Sequence, residues 1–343
     1  VKGKLIVISP NNGEVYNVGS SQVIQWSAAG TMGNVRVKFA QNGVDFSTIL
    51  TPEPAGVPAS DQNFTWNPVS DLLTTTGKIR VELISDATGV YDESDAAFAI
   101  KGTFTMTYPN GGETLFVGDP CTITWTKNGT LGNVELRYST DGGTTYPPTN
   151  VIATGIPAGD LSAAWPGGIP DIIGGTVRVK IFLISDSTVY DTSNNNFAIK
   201  GSLVLTSPVG AEQWEVGTSH PITWTRNGSS MGTVKLDYST NGGADGYPNS
   251  IATAVVSGDL TKAWTIPDVI GNQLRVKITL ESDSATNSAS PANFSILGRF
   301  VASRPSGGET WYVGTQENIN WTTYGSIDKT NLYYSTNGGG NYG

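Results

Sequence analysis

The chain has 343 residues, and its nine Trp, thirteen Tyr and ten Phe side chains can fill several hydrophobic cores, which excludes a disordered protein. A formal net charge of -9 excludes a nucleic-acid partner, because such proteins carry a basic surface that displaces counterions from phosphates. The single Cys cannot form an internal disulfide, and the lack of an apolar run of about eighteen residues excludes membrane insertion of this segment.

A short motif near the start of the chain recurs and reveals an internal repeat. It first appears as Pro10-Asn-Asn-Gly-Glu14, and Gly19 follows five residues after the Glu. The motif returns at spacings of 99, 99 and 97 residues, at Pro109–Glu113, Pro208–Glu212 and Pro305–Glu309. A unit of this length is too long for a solenoid repeat. It matches an immunoglobulin-type sandwich, which has about 100 residues and folds alone.

Two tryptophans follow the motif in each complete repeat. The first stands in an Ile-x-Trp sequence, as at Ile24 and Trp26, and shares the parity of the Ile, so we expect it on the buried face of a strand. The second is first seen at Trp66 and is likewise expected in the core. The predicted core tryptophans are Trp26, Trp66, Trp125, Trp165, Trp224, Trp264 and Trp321.

The segments between these motifs alternate with the two-residue period of half-buried strands. Ile79, Val81 and Leu83 point to one face, and the charged residues between them point to the other. Val134–Tyr138 alternates likewise and runs into Asp141-Gly, a dipeptide suited to the positive φ angles of a hairpin turn. Since no stretch shows a convincing helical period, we predict an all-β protein.

The repeat boundaries predict three complete modules and one incomplete module, at residues 1–101, 102–200, 201–298 and 299–343. Each complete module ends on a Phe-x-Ile strand, and only a residue or two separates it from the next strand, as in Phe98-Ala-Ile-Lys-Gly102. Linkers this short leave little freedom, so we expect tandem immunoglobulin-like β-sandwiches arranged as a stiff rod.

The fourth module stops before its second Trp, its long alternating strand and its Phe-x-Ile strand. Half a sandwich would expose an apolar face and unpaired strand edges. We therefore expect this face to be covered, either by further sequence of the same chain or by strands that a neighbouring subunit donates.

The motifs resemble the P-x-G-G-E-x-W-x-V-G, I-x-W and Y-S-T-D/N-G-G repeats of microbial surface and secreted proteins, a group related to the wall-associated Ser/Thr-rich domains of fungi. The resemblance covers every module. Two positions depart from it, since Leu115 replaces an aromatic residue and Val44 replaces the second Gly of the hairpin motif. The resemblance implies an immunoglobulin-like fold, an extracellular or cell-surface location, and a spacer, stalk or adhesive role without catalysis.

Catalytic residues and cofactors are not predicted from this sequence. His220 is the only histidine, and it occupies the repeat position that Gln22, Cys121 and Glu317 fill in the other modules. A position that accepts such different residues is tolerant, and a Ser-His-Asp triad or a zinc site of His and Cys needs partners that the chain lacks. We therefore expect a protein that is not an enzyme.

Acidic residues recur at two places in the repeat. Glu14 and its equivalents follow the Pro-x-Gly turn, where a carboxylate can accept bonds from free backbone amides, and we predict a structural role for them. A second set lies in the loop after the long strand, and calcium is the alternative to a structural role there because it binds clustered oxygen ligands. The candidate ligands are Asp86, Asp92, Asp186 and Asp191.

The leading functional hypothesis is an extracellular structural protein, a stalk, surface rod or filament component, whose partners are copies of itself or neighbouring surface proteins. The alternative is an adhesin or carbohydrate-binding array, in which weak repeated sites gain avidity. Its candidate glycan contacts are Tyr16, Trp214 and Trp311, which are expected to be partly exposed and therefore free to stack on sugars.

Overall fold

A computed structural model describes residues 2–342 and confirms an all-β fold of tandem immunoglobulin-like sandwiches. Within these residues, no helix is both long and apolar enough to cross a membrane. Single turns of 3-10 helix occur at Ala59–Asp61, Ile84–Asp86, Ala158–Asp160 and Ser257–Asp259. The chain divides into two compact units. The first unit comprises residues 1–115, 119–170 and 174–199. The second unit comprises residues 116–118, 171–173 and 200–343.

Module one consists of two sheets. Its strands are β1 (Lys4–Ser9), β2 (Val15–Asn17), β3 (Gln22–Ala29), β4 (Asn34–Ala40), β5 (Thr48–Ile49), β6 (Val57–Pro58), β7 (Asn63–Trp66), β8 (Thr74–Leu83), β9 (Tyr91–Glu93) and β10 (Phe98–Lys101). The small sheet has the order β1-β3-β7, and the large sheet has the order β2-β10-β8-β4-β5, with β6 beside β4 and β9 beside β8. Strand β2 pairs in parallel with β10, which ties the start of the module to its end.

Module two repeats this arrangement. Its strands are β11 (Thr103–Tyr108), β12 (Thr114–Phe116), β13 (Thr122–Asn128), β14 (Asn133–Ser139), β15 (Val151–Pro157), β16 (Ser162–Ala164), β17 (Gly174–Leu183), β18 (Asp186–Thr192) and β19 (Phe197–Lys200). The sheet orders are β11-β13-β16 and β12-β19-β17-β14-β15, with β18 beside β17.

Module three has the same two sheets. Its strands are β20 (Ser202–Ser207), β21 (Gln213–Glu215), β22 (Ser219–Asn227), β23 (Thr233–Ser239), β24 (Asn249–Val256), β25 (Thr261–Thr265), β26 (Gly271–Leu280), β27 (Asp283–Ala289) and β28 (Phe294–Leu297). Their orders are β20-β22-β25 and β21-β28-β26-β23-β24, with β27 beside β26. In the fourth module, residues 299–342 contain one antiparallel pair, β29 (Arg299–Arg304) and β30 (Asn320–Tyr324).

Each complete module closes around buried tryptophans on the inner faces of its sheets. The indole N–H groups of Trp26, Trp125 and Trp224 donate to the carbonyl oxygens of Ala59, Ala158 and Ser257 at 3.1, 3.1 and 2.9 Å. The second tryptophan of each module, Trp66, Trp165 or Trp264, is also buried. Each first indole therefore keeps its one polar atom bonded while its ring fills the core.

Three aromatic residues lie elsewhere than the sequence predicts. Tyr16 and Trp214 are only 5% and 6% exposed, because the short strands β2 and β21 join the large sheet and turn these side chains inward. Their rings pack on Phe98 and Phe294 with centroids 5.1 and 4.9 Å apart. Trp321 was expected in the core and is instead 40% exposed, because residues 299–342 form no second sheet to cover it.

Candidate functional site

The most regular feature of the molecule is the joint between consecutive modules. In the first unit it begins at Gly102, between β10 and β11. A Cβ atom on Gly102 would lie 2.5 Å from Leu131 Cδ2 and 2.6 Å from the carbonyl oxygen of Asn128. Real side chains do not approach so closely, so residue 102 must be glycine if the start of module two is to pack on the 128–131 turn of the same module, which also carries Thr130.

A carboxylate of module one reaches across this joint to module two. Asp71 accepts hydrogen bonds from the backbone N–H of Thr130 at 3.0 Å and from its hydroxyl at 2.6 Å. These two bonds hold the pKa of Asp71 below its usual value, because they stabilise the charged form. The contact ties a loop of one module to a turn of the next through both carboxylate oxygens.

A salt bridge spans the same joint. Lys101, at the end of β10, donates to Asp186 at 2.8 Å and to the hydroxyl of Thr188 at 2.6 Å. The Lys101 ammonium, together with Thr188, lowers the pKa of Asp186 to about 2. Hydrogen bonding holds the pair in one geometry, which distinguishes it from a freely moving surface ion pair.

The second unit contains equivalent contacts. A Cβ atom on Gly298 would lie 2.6 Å from Ile327 Cδ1, so this junction glycine is also enclosed by the following module. Asp268 accepts bonds from the backbone N–H and the hydroxyl of Ser326 at 2.9 and 2.5 Å. Lys200 donates to Asp283 at 2.8 Å. The enclosed glycine and the aspartate on a turn therefore recur at the Gly298 junction, whereas the Lys200–Asp283 pair lies at the start of module three.

The four candidate calcium ligands are engaged in structural contacts. Asp86 binds the ammonium of Lys2 and Asp186 that of Lys101, each at 2.8 Å. The other two accept strand N–H groups, Asp92 from Val7 at 2.7 Å and Asp191 from Met106 at 2.6 Å. Residues 2–342 contain no group of three or more His, Cys, Asp or Glu side chains placed to hold a metal. Each of the four carboxylates therefore has a structural partner.

The repeated glutamates cap the turn that opens each module. Glu113 accepts bonds from the backbone N–H groups of Asn110 and Gly111 at 2.8 and 2.7 Å. Glu309 binds its turn in the same way, and the backbone N–H groups of Ser306, of Glu309 itself and of Gly307 lower its pKa to about 2. These carboxylates hold the turn that the sequence motif encodes.

His220 and Cys121 lie in packed environments. The His220 ring stacks on Trp214 with centroids 4.6 Å apart, and its Nε2 lies 3.0 Å from the Thr218 hydroxyl oxygen. Cys121 is buried, and burial raises the pKa of its thiol, which disfavours the reactive thiolate. The two residues occupy equivalent positions in different modules and therefore cannot act together within one module.

Of the three predicted glycan contacts, Trp311 alone presents an exposed ring; it is 40% exposed, whereas Tyr16 and Trp214 are buried. The repeated aromatic position therefore does not form an array of sugar sites. Sequence reasoning missed a different aromatic group, on the outer face of module two, that includes Phe182 and Tyr190. Phe182 has the outward parity of strand β17, which was the signal available in the sequence.

Comparison with known proteins gives similarities among solved structures only, since no family model and no curated protein matches the sequence. The chain is similar to the N-terminal four Ig domains of Dscam1 isoform 6.9, with 9% identity, coverage of 87% of this chain and 73% of that one, and a TM-score of 0.28. It is also similar to an I-band fragment of titin, with 7% identity, coverage of 86% of this chain and 96% of that one, and a TM-score of 0.29. A third similar structure holds three N-terminal domains of the outer capsid protein Hoc of bacteriophage RB49. It has 11% identity, coverage of 86% of this chain and 100% of that one, and a TM-score of 0.27. TM-scores this low carry no argument, and the fold assignment rests on the strand pairing above.

Proposed function

We propose that the chain is a structural segment of an extracellular protein, a stalk, surface rod or filament component without catalytic activity. The observation that carries the proposal is the joint. An enclosed glycine and an aspartate bonded to a turn of the following module recur in both compact units, and the lysine–aspartate pair recurs at the start of modules two and three. Modules that serve only as independent domains need no such contacts, because flexible linkers suffice to connect them. A repeated, bonded joint supports a role in holding neighbouring modules at a set orientation. The resemblance to repeats of microbial surface proteins supports the extracellular location.

The joint can be tested by measuring how much the first two modules move relative to one another. Spin labels on Val44→Cys and Val151→Cys, in a Cys121→Ala background, report the distance between modules one and two by double electron–electron resonance. We expect a narrow distance distribution in the otherwise unchanged chain. The distribution should broaden when Asp71→Ala and Lys101→Ala are combined, because both contacts across the joint are then lost.

The matched control is Asp61→Ala, which removes an exposed carboxylate of module one that makes no side-chain hydrogen bond among the described residues. It should leave the distribution narrow. A distribution that is equally broad before and after the joint substitutions would show that the contacts do not fix the modules, and the structural proposal would then lose its main support.

A further inference from the structure

The outer face of strands β14, β17 and β18 in module two carries a lysine surrounded by aromatic rings. The Lys180 ammonium lies 4.1 Å from the ring centroid of Tyr190, 5.7 Å from that of Phe182 and 5.8 Å from that of Tyr146. The guanidinium carbon of Arg137 lies 5.2 Å from the Phe182 centroid. This group, the cation–aromatic face, consists of Arg137, Tyr146, Lys180, Phe182 and Tyr190.

In module one, the equivalent positions of the sheet carry cations and carboxylates that neutralise one another. Strand pairing places Arg80 opposite Glu93 in module one and Lys180 opposite Thr192 in module two. In module one Arg80 forms a salt bridge with Glu93. Lys38 binds Glu82 there, and Phe182 takes the position of that glutamate in module two. Module two has therefore exchanged two carboxylates for an aromatic ring and a hydroxyl while keeping a cation at the positions of Lys38 and Arg80, and Glu135 takes the position of Arg36.

The charge of Lys180 is uncompensated as a result. Arg137 pairs with Glu135 at 2.6 Å, whereas Lys180 takes part in none of the salt bridges among residues 2–342. Burial and the neighbouring Arg137 lower the pKa of Lys180, which shows that its surroundings disfavour the charge. In a chain whose net charge is -9, a cation without an internal acid is complementary to an anion from outside.

The rings of the cation–aromatic face restrict the chemistry of that anion. Tyr190 is 54% exposed, and it also borders a surface groove of about 470 Å³ whose lining includes Asn17, Lys101 and Thr188. A groove of this size falls within the range of ligand sites, and its amide and hydroxyl groups can bond sugar hydroxyls. A carboxylate of a protein would contact only Lys180. A sugar acid would contact Lys180 with its carboxylate, Tyr190 with its ring and the polar groove with its hydroxyl groups.

We propose that the cation–aromatic face of module two binds an acidic polysaccharide, with a uronic acid carboxylate on Lys180 and a sugar ring against Tyr190. Module three retains the lysine, as Lys277, but not the site. Strand pairing places Asp237 opposite Lys277, and Thr279 and Asn287 stand where module two has Phe182 and Tyr190. None of the five residues of the face belongs to the joint contacts, although the groove beside Tyr190 is lined in part by Lys101 and Thr188 of the joint.

Isothermal titration of the full chain with an oligogalacturonate tests this site, and the methyl-esterified oligogalacturonate serves as the uncharged control probe. We expect the acid to bind and the ester to bind much more weakly. Lys180→Gln should weaken binding of the acid about tenfold, the effect of losing one charge-assisted hydrogen bond. Tyr190→Asn introduces the residue that module three has at this position and should weaken binding to a similar extent.

Lys277→Gln is the matched control, because it removes the equivalent lysine from module three, and it should leave the affinity unchanged. Absence of binding, equal binding of acid and ester, or an equal loss in Lys277→Gln would overturn the proposal. Sedimentation velocity of the chain alone detects the competing source of an anion. Self-association that disappears in Lys180→Gln would mean that a carboxylate of a second copy occupies the face, and the polysaccharide assignment would then be wrong.

Discussion

At the scale of single residues, the core tryptophan shows how one side chain links the two parts of a module. Trp125 is buried on β13, and its indole N–H bonds to Ala158 in the 3-10 turn between β15 and β16. The ring supplies apolar area to the core, and the hydrogen bond removes the cost of burying its one polar atom.

Trp125→Ala should lower the free energy of unfolding of module two by about 3–5 kcal/mol, because it empties a large buried site and leaves the Ala158 carbonyl unpaired. Differential scanning calorimetry of the full chain should show one transition moving to lower temperature while the others stay. Trp311→Ala removes a partly exposed ring and should have a small effect. Unchanged melting in Trp125→Ala would mean that this ring adds little to the core.

Residue parity predicted the placement of Ile-x-Trp well, since a strand of seven residues such as β13 has a regular two-residue alternation. It did not predict Tyr16 or Trp214. Each lies in a strand of three residues, and its orientation depends on parallel pairing with a strand about eighty residues further along the chain. The sequence of a short segment does not indicate which distant strand it will pair with.

At the scale of structural elements, the junction glycine decides how closely the start of module two packs on a turn of the same module. Gly102 and Gly132 offer a matched comparison, because both avoid the left-handed region. A Cβ on Gly102 would overlap Leu131 and Asn128, whereas one on Gly132 would meet no atom within 4 Å.

Gly102→Ala should therefore destabilise the start of module two by about 1–3 kcal/mol, the usual cost of forcing extra volume into a packed site. It should also displace the turn whose Thr130 binds Asp71 across the joint. Gly132→Ala should be close to neutral. The spin-label distances between modules one and two provide the measurement, since Gly102→Ala should broaden or shift them and Gly132→Ala should not. If both variants match the parent chain, the junction has more space than the structure shows.

The joint should also weaken in acid. Hydrogen bonds from Lys101 and Thr188 lower the pKa of Asp186 from 3.8 to about 2. A carboxylate whose folded-state pKa is depressed contributes stability above its unfolded pKa, and this contribution is lost as the pH falls through the folded value. The difference in melting temperature between the parent chain and Asp186→Asn should therefore be constant above pH 5 and should shrink between about pH 4 and pH 2.

Asp61→Asn changes an exposed acid without a side-chain partner and controls for the general effect of charge removal. Its difference from the parent chain should be small throughout. A parent-to-Asp186→Asn difference that stays constant down to pH 2 would indicate that Lys101 does not bind the Asp186 carboxylate in solution.

At the scale of the whole molecule, the fourth module contrasts with the three complete ones. Residues 299–342 hold one strand pair, and apolar side chains such as Phe300, Ile319, Trp321 and Leu332 are exposed there. An apolar face of this kind binds other apolar surfaces, which makes this part of the chain the expected source of self-association.

A chain that ends at Gly298 should therefore bind less of the hydrophobic dye 8-anilinonaphthalene-1-sulfonate and remain soluble at higher concentration. Dye fluorescence of the two chains at equal molarity provides the measurement. The transitions of the three complete modules should remain in the calorimetric trace, which controls for unfolding. Equal dye binding by both chains would place the exposed apolar surface in the complete modules.

The sequence by itself determined the repeat, the all-β character, the core tryptophans of the complete modules and the turn-capping role of the glutamates. These features follow from local spacing and from the two-residue period of strands, which any short segment displays. The tertiary structure alone decided that Tyr16 and Trp214 are buried, that Asp92 and Asp191 hold strands, and that Lys180 lies among aromatic rings without an acid. Each of these outcomes depends on which distant strands pair and in what register, because burial and charge compensation are set by neighbours that only folding brings together.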